Sequence, residues 1–175
     1  MKAYWKALIY LLIFLVLHFG YEATEWAGAT PFCGINESIY QHLKMGFWSY
    51  LFANIIEYVI ERKKISKQGS FWYPRMLSTV IVPWILFILW YLAPLAYGRI
   101  KNVAAEVIWA LITTYIPGVL CGIMEKDIEK IELTRSLKIF IIILVIISAI
   151  EYVWFTYRPP WIDMFIDPTS IPDPL

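Results

Sequence analysis

The sequence predicts an all-α fold: a polytopic membrane bundle of five transmembrane helices forming one domain over residues 1–175. Three observations predict it. Hydrophobic residues fill 60% of the 175 positions and mean hydropathy is +0.61, more apolar surface than a soluble domain of this length needs. Five apolar stretches, at about residues 4–21, 45–60, 77–97, 103–124 and 137–157, each approach or exceed the roughly 17–25 residues that cross a bilayer as a helix. Backbone polar groups in lipid must bond internally, so helices are the spanning structure these stretches allow.

The first stretch has a long apolar run, a Tyr21-Glu22 flank and no nearby small-residue cleavage site, so it reads as a retained helix rather than a signal peptide. The second is the shortest, and an amphipathic segment at 38–44 extends it. The third has no ionisable residue and contains Pro83 and Pro94, which places it on the lipid-facing periphery with a kink near Pro83. The fourth repeats Glu106, Ala110, Thr113, Pro117, Cys121 and Glu125 at spacings of three or four, a small and polar stripe suited to close packing. The second carries a similar stripe: His42, Gly46, Ser49, Ala53, Asn54 and Glu57. The fifth ends in Tyr157, and aromatics such as Tyr4, Trp5, Trp72, Trp90 and Trp154 mark span ends as interfacial anchors.

Basic residues orient the bundle. Eleven of them (Lys2, Lys6, Arg62, Lys63, Lys64, Lys67, Arg75, Lys126, Lys130, Arg135, Lys138) fall on the N-terminal side and four (Lys44, Arg99, Lys101, Arg158) on the other. The positive-inside rule therefore puts the N-terminus inside and the C-terminus outside, as expected for a multi-pass protein of the cell membrane. Residues 62–74 read as a basic loop, and 125–138 as a helical continuation into water. A net charge of +1 gives no reason to expect nucleic-acid binding; the expected partners are membrane lipids, with other membrane subunits or a second copy of the chain as further candidates. Cys33 and Cys121 fall at opposite faces, too far apart for a disulfide, and no zinc-finger or CxxC spacing occurs.

Six ionisable residues lie within or at the apolar segments: His18, Glu22, His42, Glu57, Glu106 and Glu151. A charge at mid-bilayer costs about 2.5–3.5 kcal/mol, so such residues face a protein interior or a wet cavity. All except Glu57 lie near the outer face. His18 and Glu22 are i,i+4 on one helical face, which Glu25 continues if the helix persists. Asn36 or Ser38 can cap the second helix, with Gln41 completing a capping box. In an ideal helix Glu37 and His42 stand about 140° apart, so they share an ion only if Glu37 precedes the helix. By depth, His18, Glu22, His42, Glu106 and Glu151 can converge. Two imidazoles with carboxylates form a ligand set for zinc or another divalent transition metal, with His18, Glu22 and His42 as the expected ligands. Arg99, Lys101 and Arg158 can neutralise Glu106 and Glu151, so a purely structural polar core stands beside the metal reading. Glu57 reads as snorkelling or pairing with Arg62.

Two stretches carry a resemblance. His18-Phe19-Gly20-Tyr21-Glu22 followed by Asn36-Glu37-Ser38-Ile39-Tyr40-Gln41-His42-Leu43-Lys44, and the tail Tyr157-Arg158-Pro159-Pro160 through Phe165-Ile166-Asp167-Pro168, resemble the motifs of an uncharacterised prokaryotic integral membrane family, a domain of unknown function. The resemblance implies that Asn36, Glu37, His42, Lys44, Pro159, Pro160 and Asp167 form one outer-face feature. The resemblance leads one to expect a histidine after the paired prolines, where this chain has Trp161, so this member has either lost that group or uses Asp163 or Asp167 in its place. The stiff Pro-Pro pair can fold the acidic tail over the helix ends as a lid.

Three functions follow as expectations. The first is a metal-dependent, hydrolase-like membrane enzyme with Glu37 or Glu22 as general base, His18 and His42 as ligands or acid–base groups, and Lys44 or Arg158 as anion binder. The second is a non-catalytic accessory or assembly subunit of a larger membrane complex. The third is a small proton-coupled transporter using Glu57, Glu106 and Glu151.

Overall fold

The computed structural model describes residues 1–65, 68–98 and 102–170. Arg99 and Lys101, expected to neutralise Glu106, and Lys67 of the basic loop lie outside the described residues. The described chain is all-α, with helices α1 (Ala3–Thr24), α2 (Ile39–Glu61), α3 (Gln68–Tyr97), α4 (Val103–Ile128) and α5 (Arg135–Tyr157). Single 3-10 turns follow α1 at Ala27–Ala29 and α5 at Asp163–Phe165 and Pro168–Ser170.

Neighbours alternate in direction. α1 packs on α2 and α4, and α3 packs on the same two helices, so α1 to α4 close into a ring. α5 packs on α3, and its outer end reaches α2, where the Tyr40 hydroxyl donates to the carbonyls of Glu151 and Tyr152, both at 2.9 Å. Four helices, α1, α3, α4 and α5, are long and apolar enough to cross a membrane. α2 has the length, at 23 residues, but carries His42, Lys44, Glu57 and Glu61. His42 and Lys44 are tolerated because neighbouring helices cover α2 along most of its outer half, and Glu57 because Lys6 and Arg75 pair with it.

The core follows the small-residue stripes. Tyr10 and Phe14 of α1, Leu43 and Tyr50 of α2, Val82 and Leu86 of α3 and Cys121 of α4 form one buried cluster. The Tyr10 and Tyr50 rings meet edge to face at 5.4 Å, an arrangement the ring quadrupoles favour. α1 and α4 approach closely because Gly118 and Gly122 have no side chain. A Cβ on Gly118 would stand 3.2 Å from the Ala7 Cα, and one on Gly122 3.2 Å from the Ala3 Cα. α4 and α5 begin at side-chain caps: Asn102 Oδ1 accepts from the Ala105 amide at 3.1 Å, and Thr134 Oγ1 from Leu137 at 3.3 Å.

Several expectations are corrected. The third span is not peripheral: α3 packs against α2, α4 and α5, and α5 is the most exposed span. α3 starts nine residues before the apolar run. That early start draws Arg75 out of the expected basic loop and into the bundle. Glu25 does not continue α1; it ends it, with a left-handed φ of 48°. Ser38 precedes α2 without a side-chain cap, so the capping box is not formed; instead Asn36 Oδ1 accepts from the Ser38 amide at 3.0 Å.

Candidate metal centre and its cleft

The outer site begins with a boundary. α2 starts at Ile39, so Glu37 lies before the helix and is released from the 140° separation that helical geometry imposes. His42, one turn into α2, then faces back over the helix start. Its Nδ1 lies 3.0 Å from the Ser38 carbonyl. A carbonyl only accepts, so Nδ1 carries the proton and Nε2 is left as a lone-pair donor. His18, six residues before the end of α1, meets the same point, with the two imidazole centroids 5.4 Å apart.

One carboxylate joins them. Glu37 Oε2 is 3.5 Å from His42 Nε2, and Glu37 Oε1 is 3.8 Å from His18 Nε2. The potential ligand atoms of all three residues lie within 4.8 Å of one another. Two ligands about 2.0–2.1 Å from one tetrahedral zinc stand about 3.3 Å apart, so these gaps fit a shared ion after small side-chain adjustments. The Ser38 carbonyl behind His42 is the outer-shell partner that metal-binding histidines usually have. Phe14 lies below both rings, 6.4 Å from each, and Trp90 of α3 stacks on His42 at 5.9 Å.

The trio faces a cleft of about 790 Å³ between the outer ends of α1 to α4. Glu106 of α4 lines this cleft with His18, Glu37 and His42. The tail closes one side. After Pro159 and Pro160 the chain turns back, Phe165 stacks on Tyr40 with centroids 4.3 Å apart, and Asp163, Ile166, Pro168 and Thr169 line the cleft. The expected lid is therefore present as a folded strap. Asp167 braces it, with Oδ1 accepting from the Thr169 hydroxyl at 2.7 Å and the Thr169 amide at 2.9 Å. The Thr169 hydroxyl, helped by the Thr169 and Glu37 backbone amides, holds the Asp167 carboxyl below the usual aspartate range.

The remaining expected residues are distributed more widely. Glu22 stays outside the trio and lines a separate, smaller pocket beside His18 and Glu37. Glu151 is exposed and contributes only its backbone carbonyl, so the expected five-residue convergence is replaced by His18, Glu37 and His42 with Glu106 at the cleft wall. Lys44 is fully buried, donating to the Thr30 carbonyl at 2.8 Å and to Thr156 Oγ1 at 3.2 Å. It ties α2 to the first outer loop and α5 rather than facing the cleft. Arg158 is exposed.

A second polar centre, at the inner end, is missing from the sequence reading. Lys6, Glu57, Arg75 and Glu125 are 1%, 2%, 4% and 1% exposed, and come from α1, α2, α3 and α4 respectively. Lys6 Nζ is 3.0 Å from Glu57 Oε2 and also pairs with Glu125. Arg75 grips Glu57 with two bonds, Nε to Oε2 at 2.9 Å and a terminal nitrogen to Oε1 at 3.1 Å, and reaches the half-buried Glu129. Tyr50 donates to Glu125 Oε1 at 2.7 Å. Glu57 thus pairs with Arg75 and Lys6, not with Arg62. Two acids and two bases stand at matching depth near the inner span ends in the sequence, where a flanking cation and an ion-pair partner look alike.

A family model, described as a family of unknown function (DUF6512), matches residues 2–171, and the chain belongs to that family. No curated protein and no solved structure matches it.

Proposed function

We propose that this member of the family is a metal-dependent, hydrolase-like enzyme of the cell membrane whose ion is held by His18, Glu37 and His42. The observation that supports this is the single carboxylate placed between two imidazole Nε2 atoms, at 3.5 and 3.8 Å, on the wall of a substrate-sized cleft. A divalent ion of the zinc type supplies water activation near neutral pH and polarisation of a carbonyl. The protein's own residues do the rest. Ser38 fixes the His42 tautomer, and Glu37 places an anionic ligand between the two rings.

The test is metal analysis of the detergent-purified protein. About one equivalent of zinc or a similar ion per chain is expected, with loss of at least nine-tenths of it in both His42→Ala and Glu37→Gln. Absence of any stoichiometric metal, before and after zinc addition and dialysis, would reduce the trio to a His–Glu contact that fastens α1 to the start of α2.

A further inference from the structure

We propose that the outer cleft binds a cationic amphiphile, with an ammonium head held by Glu106, Asp163 and Trp90 and an apolar chain running inward along Leu86 and Ala110. The inference shares a cleft with the metal reading but does not depend on a bound ion.

Charge comes first. Among the described residues, the lining contains three carboxylates, Glu37, Glu106 and Asp163, and neither lysine nor arginine. With Glu37 committed to the histidines, Glu106 and Asp163 remain to select a positive head over a negative one. The walls beside them are aromatic: Phe87, Trp90 and Tyr91 all face the cleft. Carboxylates and aromatic faces together are the combination that recognises ammonium groups, through Coulomb attraction and cation–π contact.

Polarity then changes with depth. Leu86 lies one turn inward of Trp90, and Ala110 one turn inward of Glu106, each about 6 Å deeper at about 1.5 Å per residue. The cleft is therefore polar at its outer end and apolar beneath, matching a head with an attached chain. Its mouth opens sideways between α3 and α4, since Tyr91 and Val107 line it and are also 41% and 52% exposed. On a spanning helix that surface meets lipid, so an amphiphile can enter from the membrane without crossing water.

The full chain in dodecyl maltoside, a detergent without charge, is titrated in EDTA with a dansyl-labelled undecyl trimethylammonium and with a sulfonate on the same chain. At least tenfold tighter binding of the ammonium is expected. Glu106→Gln with Asp163→Asn, both at exposed positions, should abolish that preference by weakening ammonium binding, with sulfonate binding no weaker than in the wild type. Equal affinity for the two heads, or a preference that survives the double variant, would overturn the proposal. A protein that takes up no zinc yet keeps the preference defeats only the metal reading; one that takes up zinc and shows no preference defeats only this one.

Discussion

Glu37 reaches the histidines because Asn36 turns the chain just before α2, and such one-residue effects decide the chemistry at both ends of the bundle. Asp167 makes this measurable through pH. Its carboxyl is held below the usual range, so its ionised form favours the folded strap. That contribution is complete above the ordinary aspartate value of about 4 and is lost as pH falls through the lowered one. Hydrogen-exchange protection over residues 163–170, taken relative to the intrinsic rate at each pH, should be high at pH 7 and fall below pH 3, while Asp167→Asn should be weakly protected at both; equal protection in wild type and variant at pH 7 would contradict the bracing role. At the inner end, Glu57→Gln leaves Lys6 and Arg75 short of a buried anion. Loss of one partner from such a pair costs about 3–5 kcal/mol, so a clear drop in melting temperature in detergent is expected. Replacing Lys6 and Glu125 together with methionine should cost less than either change alone, because an apolar pair needs no countercharge.

The contact between α1 and α4 rests on two glycines one turn apart. Gly118→Leu is expected to part the helices, because even its Cβ would meet Tyr10 at 2.8 Å and Ala7 at 3.1 Å. Loss of the monodisperse peak in size-exclusion chromatography would show it. Gly69→Ala, whose Cβ would meet only the Tyr73 ring at 3.4 Å, should leave the peak in place. Helices were the legible part of this sequence, because a bilayer allows an apolar run of that length little else. The buried stripe of α2 and most of that of α4 also matched their spacing. What could not be read was which helices touch. Apolarity alone made α3 look lipid-facing, whereas its position between α2 and α4 depends on contacts with partners distant in sequence. Lys6 and Arg75 looked like topology signals for the same reason: a cation near a span end is identical in sequence whether it faces headgroups or a carboxylate on another helix. At the outer site, His18 and His42 were legible, but Glu22 was favoured over Glu37 because the exact start of α2 was unknown.

Among the described residues two polar centres are separated by an apolar middle, one a buried ion cluster and the other an open cleft. Such a division gives a rigid base at one face and an accessible site at the other. The orientation expected from the basic residues, N-terminus inside, predicts that Ser170→Cys reacts with a membrane-impermeant maleimide added to intact cells and that Lys64→Cys does not. Cys33 and Cys121 are both buried and so give little background. Labelling of Lys64→Cys alone would invert the orientation. The central claim, that His18, Glu37 and His42 form one metal centre, is tested most directly by X-ray absorption at the zinc edge of the zinc-loaded protein. A shell of nitrogen and oxygen at about 2.0–2.1 Å with scattering from two imidazoles is predicted, and that bound-zinc signal should fall by at least nine-tenths in His42→Ala. A spectrum with oxygen neighbours alone, unchanged by that substitution, would contradict it.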